Sequence, residues 1–76
     1  MNRRLLKTRV EAVTGRSDVI AWTAETLGIS HSSAAMKLRG DSPLLLTQAL
    51  QMRDALHLTA SQFTAIFLAS EENKND

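Results

Sequence analysis

Apolar residues recur at intervals of three and four along most of the chain, in runs separated by glycines. This spacing places the apolar side chains on one face of an α-helix. No segment shows the sustained alternation of apolar and polar residues that is typical of a half-buried strand. The pattern therefore predicts an all-α chain without a sheet, with five short helices at about residues 3–13, 18–27, 31–39, 45–56 and 60–69.

The residues at the predicted helix ends agree with these boundaries. Glycine can adopt the left-handed conformation at a helix C-terminus without steric cost. Serine and threonine side chains can accept hydrogen bonds from the free N–H groups at a helix start, so Ser17 and Ser30 are predicted N-caps. Thr59 and Gln62 have the spacing of a capping box. Predicted stops follow the first three helices at Gly15, Gly28 and Gly40.

The same periodicity predicts which side chains face the interior. With 43% hydrophobic residues, a chain of 76 residues can bury one modest core. We expect one domain at residues 1–70 and a disordered polar tail at 71–76. Trp22 is expected to be partly buried. The predicted inward positions are Leu6, Val10, Val13, Ile20, Ala24, Leu27, Ala34, Leu38, Leu45, Ala49, Met52, Leu56, Phe63, Ile66 and Phe67, whereas Leu46, Leu50 and Leu68 are expected to turn outward.

Positive charge is concentrated at the start of the chain. The net charge is only +1, but residues 1–16 hold five Lys and Arg side chains against Glu11 alone. Such asymmetry favours an anionic partner. A helix with a solvated basic face is an equally good interpretation of charge alone.

The composition argues against several other classes of protein. Without cysteine there is no disulfide framework and no thiolate metal site. His31 and His57 have no acid at catalytic spacing, and no glycine-rich phosphate loop is present, so no enzyme, cofactor or metal is predicted. No apolar run approaches the roughly 20 residues of a membrane helix, and the basic start lacks the apolar run of a secretory signal. A cytoplasmic protein is expected.

The segment from Ile20 to Gly40 predicts two helices that meet across a sharp turn. Gly28 supplies the positive φ that such a turn requires. Ala24 lies one helical turn earlier, where the third helix must cross closely. Ser30 then caps that third helix.

The outer face of the third helix is small and polar. Ser32, Met36 and Arg39 lie opposite the inward pair Ala34 and Leu38. A helix that enters a major groove about 12 Å wide needs small residues on its leading surface. A helix that only faced water would more often carry Glu and Lys. This face therefore favours DNA as the partner.

The segment resembles the helix-turn-helix of the Cro and phage-repressor family. The resemblance rests on Ala24 and Gly28 in an Ala-x-x-x-Gly element, on the ending Lys37-Leu38-Arg39-Gly40, and on Leu56-His57-Leu58-Thr59, which is similar to the Leu-Gly-Leu-Ser junction of a small Gram-positive-phage branch. It covers roughly residues 5–68 and implies a compact, five-helix, lambda-repressor-like domain. The sequence departs from the family pattern at Ile20, Trp22, Thr23 and Ala34.

The sequence and this resemblance together predict the residues of a DNA site. Predicted base contacts are His31, Ser32, Ser33 and Met36. Predicted phosphate contacts are Arg3, Arg4, Lys7, Ser17, Lys37 and Arg39. His31 could instead cap the helix or face water, Met36 could fill a gap in the core, and the first-helix cations could be a solvated end.

The predicted function is that of a Cro-like transcriptional repressor of phage or prophage origin. It would bind double-stranded DNA as a weak homodimer on an approximate palindrome, with Leu50 and Leu68 as candidate dimer contacts. The alternative is a protein-interaction module that keeps the helix-turn-helix fold and modulates a phage repressor protein.

Overall fold

The computed structural model describes residues 1–68, which form five helices and no strand. The helices are α1 (Arg3–Thr14), α2 (Val19–Leu27), α3 (His31–Arg39), α4 (Leu46–Leu56) and α5 (Ala60–Phe63), and α5 continues as a π-helical segment at Thr64–Leu68. The all-α prediction is confirmed, and the predicted bounds of the first four helices agree to within one residue. The expected tail at 71–76 lies outside the described residues.

The turn between α2 and α3 has the predicted geometry. Gly28 adopts φ +68°, and the N–H groups of Gly28 and Ile29 both donate to the carbonyl of Ala24. The hydroxyl of Ser30 then accepts from the N–H of Ser33 at 3.0 Å. These bonds satisfy backbone groups that each helix end leaves free, so the two helices join across three residues.

The start of α2 corrects one prediction. Asp18, not Ser17, is the N-cap, and its carboxylate accepts from the N–H of Ala21 at 3.0 Å. Serine and aspartate cap helices about equally well, so two adjacent candidates cannot be ranked from the sequence. The capping box of Thr59 and Gln62 is confirmed.

The core is built from side chains of all five helices and from Leu58, which lies between α4 and α5. Its buried apolar residues are Leu6, Val10, Trp22, Leu38, Met52, Leu56, Leu58 and Ile66. Two predicted core residues are exposed. Val13 lies in the last turn of α1, just before the chain turns away at Gly15, and Leu45 precedes α4 with extended backbone, so its side chain does not share the helix's inward face.

Helix α2 is covered on more sides than its apolar stripe predicts. Trp22 and Thr23 are buried, whereas the predicted inward residues Ile20, Ala24 and Leu27 are half-buried. The reason is that α2 packs against α1, α3 and α4. A helix that is enclosed in this way buries residues outside a single stripe.

The two ends of the described chain are held together. The N–H of Asn2 donates to the carbonyl of Ile66 at 2.6 Å, and the Asn2 side chain caps α1 by accepting from the N–H of Leu5. The basic start of α1 is therefore fixed beside the end of α5.

Candidate nucleic-acid interface

Helix α3 presents the predicted outer face to solvent. Ala34 and Leu38 are buried on its inner side, as predicted. Two of the side chains flanking the outer face, Ser33 and Ala35, are half-buried. The exposed residues of the helix are His31, Ser32, Met36 and Arg39.

Two of the alternatives left open by the sequence are removed by this arrangement. Met36 is 41% exposed, so it does not fill a gap in the core. Ser30 caps α3, so His31 does not have that role. Both side chains lie on the exposed outer face of α3.

Basic residues of α1 and α3 border one surface. We name the depression lined by Arg3, Lys37, Arg39 and Leu68, among others, the basic cleft. Arg3 also borders an adjoining depression, whose lining includes Arg4, Lys7 and Leu38. The structure thus brings together five of the six predicted phosphate contacts, although they come from two helices far apart in sequence.

Several of these cations have partners within the protein. The ammonium group of Lys37 donates to the carbonyl of Pro43 at 2.8 Å, and Nε of Arg39 donates to Oδ2 of Asp41 at 2.9 Å. Both bonds are exposed, so they contribute little to stability and water or phosphate can replace them. Within residues 1–68, neither Arg3 nor Arg4 forms an ion pair.

Ser17 is the predicted phosphate contact that stands apart. It is exposed but borders neither of the two basic depressions. Its neighbour Asp18 places a carboxylate at the start of α2. A phosphate that approached this helix start would be repelled by that negative charge.

An ion pair between Arg16 and Glu25 was not predicted. The two guanidinium nitrogens of Arg16 donate to the two carboxylate oxygens of Glu25, at 2.6 and 3.0 Å. These hydrogen bonds lower the pKa of Glu25 and raise that of Arg16 from their ordinary values. The pair ties the loop after α1 to α2, and a separation of nine residues carries no helical signal that would reveal it.

Arg9 is a second residue that the sequence did not single out. Its Nε is buried and, within the described part of the chain, has no hydrogen-bond partner. It lines a largely apolar groove between α1 and α5, together with Leu5, Ala12 and Ala65. This groove is separate from the basic cleft.

The candidate dimer leucines differ in exposure. Leu68 is 66% exposed, as predicted, but Leu50 is half-buried. Leu46 is 67% exposed and lies in the same cleft as Leu68, beside Phe63 and Phe67. The exposed apolar patch therefore consists of Leu46 and Leu68, and Leu50 is not part of that cleft.

No group of three or more His, Cys, Asp or Glu side chains in residues 1–68 is placed to hold a metal ion. In the same part of the chain, every helix is too short or too polar to cross a bilayer.

The sequence matches one protein-family model over most of its length. The model described as "BetR domain" matches residues 3–74, a span that includes all five helices. No curated protein and no solved structure matches the chain.

Proposed function

The chain belongs to the BetR domain family, and we propose that it is a non-enzymatic, sequence-specific regulator of transcription that binds double-stranded DNA through α3. The family match and the five helices support a small all-α domain of the regulatory, DNA-binding type.

The observation that carries the proposal is the outer face of α3. His31, Ser32 and Met36 are exposed together on a helix whose other side is anchored by Ala34 and Leu38. Hydroxyl and imidazole groups can exchange hydrogen bonds with base edges, and an unbranched apolar side chain can contact a thymine methyl. These side chains protrude little enough to let the helix approach the floor of the major groove.

The basic residues beside this face support the same orientation. Arg3 and Arg4 from α1, with Lys37 and Arg39 from α3, form a rim that would meet the phosphates bordering the groove. Phosphate contacts orient a protein on the duplex and make binding depend on salt, whereas base contacts select the sequence.

We also propose the finer function that the resemblance to Cro and phage repressors implies. The protein would repress transcription in a phage or prophage. Because one recognition helix spans few base pairs, two copies would bind half-sites about one helical turn apart. Leu46 and Leu68 offer the apolar surface for a weak contact between the copies.

The test compares two glutamate substitutions at equivalent helical positions. Ser32 and Ser61 are each the second residue of their helix, and both are exposed. An added carboxylate in either first turn is tolerated by the helix dipole, so both variants should melt close to the parent protein. Ser32→Glu should weaken binding to operator DNA more than about 10-fold through repulsion from phosphates and base acceptors, whereas Ser61→Glu should leave it nearly unchanged.

The operator for this measurement would come from selection of bound fragments out of randomised DNA at a stated salt concentration. Operator binding that survives Ser32→Glu would show that α3 is not the reading helix. Equal losses of operator affinity in Ser32→Glu and Ser61→Glu would point to a general effect of charge rather than to a role of α3.

A second candidate function is a protein-interaction module that modulates a phage repressor protein. The exposed Leu46 and Leu68 in one cleft favour it, because exposed apolar side chains that cluster can mark a contact surface. Retention on heparin that falls with salt supports DNA binding. Co-elution with a repressor, independent of salt, supports the interaction module.

A further inference from the structure

We propose that the basic cleft binds an acidic segment of the same chain, Glu71-Glu72, which competes there with DNA phosphate. The inference rests on the proposed function in one respect, because the competing ligand is DNA. The contact itself is a property of the free protein and can be tested without DNA. Its effect would be to weaken binding to DNA in general, so that only operator sites with base contacts hold the protein.

The cleft has the charge that such a segment requires. Among its described lining residues are the cationic side chains of Arg3, Lys37 and Arg39, and none is acidic. Arg39 is already paired with Asp41, and Lys37 donates to the carbonyl of Pro43. Arg3 has no ion pair within residues 1–68, so it is the cation in the cleft best placed to take a new carboxylate.

The acidic residues lie only a few positions after a residue that lines the cleft. Leu68 itself borders the cleft. Glu71 and Glu72 follow it by three and four residues, and an extended chain spans about 10–14 Å over that distance. Arg3 and Leu68 line the same depression, so the acidic segment begins at the edge of the cleft that it would occupy.

The composition of the segment is complementary to the cleft. Residues 69–76 contain Glu71, Glu72 and Asp76 against a single cation, Lys74. A tethered carboxylate meets the cleft at a high effective concentration, so even a weak ion pair is populated. Because the pair is exposed, salt should weaken it.

The test uses the full chain and a random-sequence duplex at about 50 mM salt. The double variant Glu71→Gln/Glu72→Gln should bind this duplex more tightly by about three- to tenfold, as expected for one or two exposed ion pairs. The gain should shrink as salt is raised. Asp54→Asn removes one negative charge outside the cleft and should change the affinity less than about twofold.

A double-mutant cycle with Arg3→Gln separates a contact in the cleft from a general effect of charge. If the segment pairs with Arg3, then Glu71→Gln/Glu72→Gln should raise the affinity for the duplex less in the Arg3→Gln background than in the parent protein. An equal gain in both backgrounds, or a gain matched by Asp54→Asn, would overturn the inference.

Nuclear magnetic resonance of the free protein provides a readout that does not depend on DNA. The double variant should shift the amide and side-chain signals of Arg3, and those of Lys37 and Arg39 less. Unchanged signals at all three residues would overturn the inference. A parent protein that fails to bind any duplex at low salt would instead overturn the proposed function, and the spectra would still decide whether the segment occupies the cleft.

Discussion

At the scale of single residues, Thr23 is a polar side chain in a position suited to an apolar one. The residue is fully buried, and its hydroxyl has no hydrogen-bond partner within residues 1–68. The resemblance to phage repressors already marked Thr23 as a departure from the family pattern. A buried hydroxyl without a partner loses its hydrogen bonds to water and gains none in return.

Replacing this hydroxyl by a methyl group should stabilise the fold. Thr23→Val has nearly the same shape, so we expect the free energy of unfolding to rise by about 1 kcal/mol. For a domain of this size, that corresponds to an increase in melting temperature of about 4–8 °C. Thermal denaturation followed by circular dichroism measures it.

Thr23→Ser is the matched control for this change. It keeps the hydroxyl and removes the buried methyl group, so it should lower the melting temperature. A loss of stability in Thr23→Val would mean that the hydroxyl is hydrogen-bonded in solution and that its burial is not a cost.

At the scale of elements, the link between α2 and α3 depends on backbone conformation rather than on space. A Cβ built on Gly28 would meet no atom within 4 Å, but the residue has φ +68°. Gly28→Val should therefore lower the free energy of unfolding by about 1–2 kcal/mol, because β-branched residues are strained at positive φ. Urea titration measures the change.

Gly28→Asn is the control, since asparagine tolerates the left-handed conformation better than other residues with side chains. It should lose less stability than Gly28→Val. Equal losses in the two variants would indicate that space, not backbone conformation, limits position 28.

The ion pair between Arg16 and Glu25 makes stability depend on pH. The hydrogen bonds from Arg16 lower the pKa of Glu25 in the folded protein. The pair therefore contributes fully above the pKa that glutamate has in the unfolded chain, and its contribution is lost as the pH falls through the lowered value. Glu25→Gln should melt below the parent protein at neutral pH, and the two curves should converge in acid.

The carboxylate of Glu11 offers a comparison, because its contact with Lys7 is longer, at 3.7 Å, and both side chains are well exposed. Glu11→Gln should change the melting temperature less than Glu25→Gln does at neutral pH. A deficit in Glu25→Gln that stays constant from neutral to acid pH would contradict the role given to the ion pair.

At the scale of the whole molecule, one cleft joins a basic part and an apolar part. Arg3, Lys37 and Arg39 lie in it together with Leu46 and Leu68. Under the proposed function, the protein would hold DNA and contact a second copy through these neighbouring surfaces. An apolar contact this small would then give a weak dimer that forms fully only when DNA brings two copies together.

A neutral substitution separates the dimer contact from the charge of the cleft. Leu68→Gln removes apolar surface without adding a negative charge beside Arg3. We expect it to reduce the number of chains bound per operator from two towards one, as measured by sedimentation of the DNA complex. Leu45→Gln is the control, because Leu45 is 55% exposed but does not line the cleft. Two chains per operator in Leu68→Gln would exclude this contact.

The sequence predicted the helices and the face of α3 well because these depend on local rules. Periodic apolar residues, capping side chains and glycines with positive φ act over a few residues, so Ala34, Leu38 and Gly28 were placed correctly. His57 shows the limit of those rules. It adopts φ +54° at the end of α4. The phage-repressor branch that the sequence resembles has glycine at this position, and no local pattern requires a histidine to adopt a positive φ.

By itself, the sequence determined an all-α chain, its helix bounds and a small polar face on α3, because hydrophobic periodicity and caps are read within one element. Only the tertiary structure decided which sides of α2 are covered, and so buried Trp22 and Thr23. It also decided that Arg3 lies beside Lys37 and Arg39, and that Leu46 replaces Leu50 as the neighbour of Leu68. These relations join residues distant in sequence, and they follow from how the helices pack, which no single stretch of the chain specifies.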